Sequence, residues 1–147
     1  MMALANLHFG NEHRQLHLFD AFQDICEPDS SVDGERAVRE VEEFTKGVGR
    51  DKGRLQPLTG FYDSLGGAGA LEDSRQLLEK KINYPVEMIN YHVGWFQDTL
   101  ANDHEGIDQI AILRLDGDWY ASTKVCLEYL FDKVVKGGVV IIDDYGA

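Results

Sequence analysis

Apolar and polar positions follow two different periods along this chain, and in the second half the periods take turns. Residues 71–82 (LEDSRQLLEKKI) set Leu71, Leu77, Leu78 and Ile82 on about one face, which predicts an amphipathic helix. Pro85 follows, as it does past a helix end. Residues 86–93 (VEMINYHV) alternate as a strand does, and Gly94 ends them. Residues 95–100 predict a short helical turn, and residues 107–116 (IDQIAILRLD) a strand. Residues 120–134 predict a helix with Val125, Leu127, Leu130 and Phe131 mostly inward. Lys136-Gly137-Gly138 reads as a tight turn. Residues 139–142 (VVII) form an unbroken apolar run, expected of a strand buried on both faces.

The first half is less regular. Residues 1–9 are short and apolar and read as the end of a helix, with Gly10-Asn11 as its stop. Residues 15–20 (QLHLFD) read as a strand closed by an acid, and residues 23–33, with Pro, Asp and Ser, as a loop. Residues 35–48 carry Val38, Val41 and Phe44 near helical period. Residues 47–69 hold seven glycines and one proline and predict a loop or two short turns.

The order β, α, β, α, β in the second half argues for an α/β fold with a parallel sheet and right-handed crossovers. Ligands of such sheets bind beyond the carboxyl ends of the strands. Three strands end in acids there: Asp20, then Asp116 with Gly117 and Asp118 behind it, then Asp143 and Asp144. A single Asp after a strand is ordinarily a turn former or a cap, and Asp118, Ser122 and Thr123 suit the cap of the next helix. Carboxylates delivered to one edge by separate strands repel each other and ask for a cation. Mg²⁺ takes oxygen ligands and keeps positions for water or substrate, whereas no Cys or His cluster stands near for a softer metal.

Composition narrows the picture only a little. The 147 residues fit one domain, and 44% hydrophobic with 27% charged residues is ordinary for a globular chain. A net charge of −12 argues against a nucleic-acid partner, which needs clustered Lys and Arg. Cys26 and Cys126 form neither a CxxC pair nor a zinc spacing and read as reduced thiols. No apolar run reaches the ~18 residues a membrane span needs, and the N-terminus lacks signal-peptide features, so the expected location is cytoplasmic, with no membrane partner.

Three stretches carry a resemblance. GWFQDTL, ILRLDGDWYAST and LEYLFDKVVKGGVVIIDDYGA resemble the macrocin O-methyltransferase (TylF-type) family, and LFDAFQDICEPD (18–29) resembles its second-strand segment. The likeness is dense from Gly94 onward and loose over residues 34–70. It implies an S-adenosylmethionine- and Mg²⁺-dependent O-methyltransferase of natural-product sugars, of the kind found in antibiotic biosynthesis, with a sugar or glycoside acceptor. Asp116, Asp143 and Asp144 match the Mg²⁺ ligands, and Asp116 also matches the general base. Asp20 matches the acid that holds the cofactor ribose. Phe96, Gln97 and Asp98 match the segment bordering the adenine. Relatives often assemble, so a homo-oligomer is among the expected states.

The implied fold is a Rossmann-like class I methyltransferase sheet, incomplete in residues 1–147, which read as a single partial methyltransferase domain. The family's first strand with its glycine-rich loop, and its C-terminal hairpin, have no counterpart in the sequence. Without that strand, the strands at 15–20 and 107–116 either pair directly or both keep an unpaired edge. Two other readings stand beside the enzyme. One is a catalytically incomplete fragment or scaffold. The other is a Mg²⁺-dependent phosphatase, on the strength of Asp116-Gly117-Asp118, although Tyr120 stands where that motif wants a Thr.

Overall fold

The structure is a computed structural model that describes residues 1–45 and 57–143. Nine main elements follow in the order α1 (Met2–Phe9), β1 (Leu16–Asp20), α2 (Gly34–Thr45), α3 (Leu71–Arg75), β2 (Ile89–Val93), α4 (Phe96–Asp103), β3 (Ile110–Leu115), α5 (Tyr120–Leu130) and β4 (Val134–Ile142). The expected α/β alternation is present. Helix α3 widens into a π-type turn over Gln76–Lys81, and Leu78 is its buried contact while Leu77 points to solvent.

β1 runs parallel to β2, with Leu16 opposite Ile89 and Asp20 opposite Val93. β3 runs parallel to β4, with Leu113 opposite Val140 and Leu115 opposite Ile142. Among the described residues β1 and β3 do not pair with each other, so each keeps one edge unpaired. Of the two arrangements left open by the sequence, this is the second.

Side chains join what hydrogen bonds do not. Leu113 and Leu115 of β3, Leu100 of α4, and Cys126 and Leu130 of α5 form one core, and Phe19 of β1 packs against it. A second cluster joins Ala3 of α1, Leu78, Tyr84 and Ile89 of β2. Each fully buried Leu or Ile contributes roughly 1.5–3 kcal/mol relative to exposure. Both cysteines are buried thiols, and loss of solvent is the main influence raising Cys26 to about 11 and Cys126 to about 12. Among the described residues no helix is long and apolar enough to cross a membrane.

Two local expectations are corrected. Lys136-Gly137-Gly138 is not a turn between elements but lies inside β4, where the register slips between Ile110 and Ile112 of the partner strand. The glycines make that bulge: Gly137 has φ +84, and a Cβ on Gly138 would stand 2.8 Å from Val134 Cγ1 and 2.9 Å from the Val135 carbonyl oxygen. The apolar end of β4 is also not covered on both faces. Val140 reaches the core, while Val139 and Ile141 face out together with Ile112 of β3.

Candidate functional site

The parallel register brings the strand ends to one edge. The Asp143 N–H donates to the Leu115 carbonyl at 2.9 Å, so the end of β4 lies alongside the end of β3. The Gly94 N–H donates to the Asp20 carbonyl at 2.9 Å, which ties the ends of β1 and β2. Asp116 and Asp143 converge on one positive centre, the guanidinium of Arg114. Its Nη1 donates to Asp116 Oδ2 at 2.6 Å and its Nη2 to Asp143 Oδ2. The bond to Asp116 is the main influence raising Arg114 above its usual range. The like charges expected at this edge are thus partly balanced from within the chain. Asp144 lies outside the described residues.

Asp20 sits at the end of β1 and accepts the Phe22 N–H at 2.6 Å, which holds the chain in a tight turn with Phe22 at φ +51. Loss of solvent raises its carboxyl, the Phe22 bond opposes this, and the Asp116 charge adds to the rise. That coupling places Asp20 and Asp116 within electrostatic reach across the unpaired edges. Gln97 and Asp98 lie in the first turn of α4, just past β2. Phe96 is partly buried against the cluster that holds Leu100 and Leu113, and Trp95 is partly buried against the cluster that holds Trp119.

An apolar cluster packs beside this edge, whose acids Asp20, Asp116, Asp118 and Asp143 are exposed. Leu58 is fully buried with Cys26, Ala37, Val41 and Trp119, and Phe61 and Trp95 close around them. The Trp119 indole N–H donates to the Cys26 carbonyl at 2.7 Å, and the Ala121 N–H donates to Asp33 Oδ1 at 2.6 Å. The start of α5 after Asp116 is therefore locked to the loop after β1. Ser122 fixes that start: its hydroxyl accepts the Trp119 N–H at 3.1 Å and donates to the Trp119 carbonyl at 2.7 Å.

Two residues at this edge, Arg114 and Tyr62, escaped the sequence reading. Tyr62 turns its hydroxyl toward Asp118 Oδ2 at 3.5 Å, and loss of solvent first, then Asp118, Asp116 and Asp20, raise its pKa. Its segment falls in the glycine-rich stretch that predicted only a loop, residues 47–56 of which lie outside the described residues. The aromatic pair Phe61-Tyr62 among those glycines was the available signal.

Residues 79–147 match the model of the family described as Macrocin-O-methyltransferase (TylF). Demethyldecarbamoylnovobiocin O-methyltransferase from Streptomyces niveus is 49% identical over 65 residues, which cover 43% of this chain and 24% of that protein. From Streptomyces olivaceus, 8-demethyl-8-(2,3-dimethoxy-alpha-L-rhamnosyl)-tetracenomycin-C 4'-O-methyltransferase is 46% identical over 59 residues, covering 40% of this chain and 22% of that protein. The solved structure of the O-methyltransferase NovP superposes with a TM-score of 0.68 at 29% identity, over 97% of this chain and 50% of NovP. The chain thus spans half the length of NovP, and its matched segments span about a quarter of the other two relatives.

Proposed function

We propose, from the match of residues 79–147 to the macrocin O-methyltransferase (TylF) family, that the chain belongs to an S-adenosylmethionine-dependent enzyme that methylates a sugar hydroxyl on a glycosylated natural product. The observation that carries this reading is the convergence of Asp116 and Asp143 from neighbouring strands, inside the matched segment.

The donor set suits the groups this activity implies. Asp116 and Asp143 offer hard carboxylate oxygens that already gather around one cation, and with Asp144 they would hold Mg²⁺. Asp20 would accept the ribose hydroxyls of S-adenosylmethionine, and Phe96, Gln97 and Asp98 would border its adenine. When bound, the cofactor supplies a methyl group on a sulfonium, and the metal ion supplies a Lewis acid.

The chain's own residues do the rest. Asp116 takes the proton of the acceptor hydroxyl on a carboxylate oxygen. Arg114 orients that carboxylate through their 2.6 Å bond and balances its charge. The apolar cluster of Leu58, Phe61 and Trp119 supports the loop and the helix start that flank the strand ends.

Incubating the purified chain with S-adenosylmethionine, Mg²⁺ and demethyldecarbamoylnovobiocin tests the reading by mass spectrometry. One added methyl group is expected, with loss of activity in EDTA and its return with Mg²⁺. Asp116→Asn should lower kcat by about 10²–10⁴-fold with cofactor affinity near that of the unsubstituted chain. Activity that persists in EDTA removes the metal from the mechanism, and an active Asp116→Asn variant removes Asp116 as the base.

A second reading, a methyltransferase-like scaffold, draws support from Arg114, whose ion pairs give Asp116 and Asp143 a purely structural use. Calorimetric titration with S-adenosylmethionine separates the two: micromolar binding favours the enzyme, and no heat of binding favours the scaffold.

A further inference from the structure

An exposed aromatic in a glycine-rich loop usually wanders, but Tyr62 is held from several sides. Asp24, just past β1, accepts the Gly60 N–H at 2.8 Å and the Tyr62 N–H at 3.3 Å. The Leu58 N–H donates to the Ile25 carbonyl at 2.8 Å, and the Leu58 side chain is fully buried in the apolar cluster. Phe61 braces the Tyr62 ring edge-on, with centroids 5.2 Å apart and planes at 90°. These contacts fix both the backbone and the ring of a residue that is itself only half-buried. What they fix is a phenol hydroxyl on the carboxyl edge of the sheet, 3.5 Å from Asp118 Oδ2 and within the electrostatic reach of Asp116 and Asp20.

We propose that Tyr62 binds the acceptor sugar, its hydroxyl, which donates to Asp118, accepting a hydrogen bond from a sugar hydroxyl while its ring lies against the sugar's C–H surface, so that the reacting hydroxyl is presented to Asp116. This inference rests on the methyltransferase reading and adds a substrate-binding residue to it. The chemistry fits the class of acceptor. A carbohydrate offers many hydroxyl donors and an apolar face of C–H bonds, and a tyrosine meets both with one rigid side chain. The phenol keeps its proton for Asp118, because solvent loss and the neighbouring carboxylates all act against its ionisation. With its backbone anchored on Asp24 and its ring braced by Phe61, Tyr62 loses little freedom when the sugar arrives.

The test is steady-state kinetics of the full chain and its Tyr62→Phe variant with demethyldecarbamoylnovobiocin as acceptor. Tyr62→Phe keeps the ring and its packing on Phe61 and removes only the hydroxyl. The acceptor KM should rise about tenfold, as loss of one hydrogen bond implies, with a smaller fall in kcat and an unchanged KM for S-adenosylmethionine. Tyr62→Ala should raise the acceptor KM further, since the ring contact goes as well. A purely structural role would move both KM values or neither. Methyl transfer with an unchanged acceptor KM in both variants overturns this inference and leaves the methyltransferase reading standing. No transfer by the unsubstituted chain overturns both.

Discussion

Tyr84 carries a burden that its side chain makes measurable. It is 1% exposed, packs between α1 and β2, and donates its hydroxyl proton to the Arg14 carbonyl at 2.6 Å, with Asn6 Oδ1 2.9 Å away. Tyr84→Phe keeps the ring and removes the donor to the Arg14 carbonyl, while Asn6 Oδ1 still accepts the Arg14 N–H, so the variant should lose about 0.5–1.5 kcal/mol of stability. Urea unfolding checks this: the midpoint should fall with the slope unchanged, and an unchanged midpoint would show that water replaces the donor. At this scale the sequence was legible where chemistry was concentrated at strand ends. Asp20, Asp116 and Asp143 were readable because an acid closing an apolar run has few other places to go. Arg114 was not singled out: residues two apart on a strand share a face, yet its role emerges only when Asp143 arrives from another strand. Tyr62 lies in a segment without periodicity, and its position depends on Asp24, 38 residues away in sequence.

The join between β3 and α5 shows how an element's start depends on what fits inside it. Gly117 stands where a Cβ would meet Ser122 Oγ at 2.8 Å and Thr123 Oγ1 at 3.2 Å. Those two hydroxyls fix the first turn of α5, Ser122 through Trp119 and Thr123 by donating to the Gly117 carbonyl at 3.1 Å. Gly117→Ala should therefore push the first turn of α5 outward and cost about 1–3 kcal/mol. A thermal melt gives the loss directly, and amide hydrogen exchange should place the weakened protection at residues 119–123. Wild-type exchange there would show that the turn yields without cost. The order of strands and helices was legible from the switch between the two apolar periods. Element ends were not, because the competing signals are local. Gly137-Gly138 reads as a turn by residue type, but the pairing of Ile110 with Val134 draws the whole stretch into β4 as a bulge. The run at 139–142 reads as doubly buried by hydropathy alone, and only the placement of α4 and α5 on one face shows that Val139 and Ile141 lie on the other.

Among the described residues the two parallel strand pairs are joined by side chains and share no ladder hydrogen bond, so the links that bridge elements matter for global stability. One such link is a relay through β1, β2 and α4. His92 Nδ1 lies 2.8 Å from Asp103 Oδ2, which makes that nitrogen the donor and leaves His92 Nε2 to accept from His17 Nδ1–H at 3.1 Å. Phe19 stacks on the His92 ring at 3.9 Å and holds it in place. Burial first, then the nearby His92, lower the His17 pKa below the ordinary 6.5. The sign follows. Below pH 6.5 the unfolded chain binds a proton at His17 more readily than the folded chain does, so the stability this residue contributes is present above that pH and is lost as pH falls through it. The overall charge pulls the opposite way, because acidification relieves part of the self-repulsion of a chain with net charge −12. Comparison with a variant separates the two effects. In melts taken between roughly pH 5 and 8, His17→Gln should be the less stable protein at the neutral end and should close that gap as the pH falls, since its side chain does not titrate while the charge background is shared. Parallel curves for the two proteins across the whole range would mean that the relay binds its proton equally in the folded and unfolded chain.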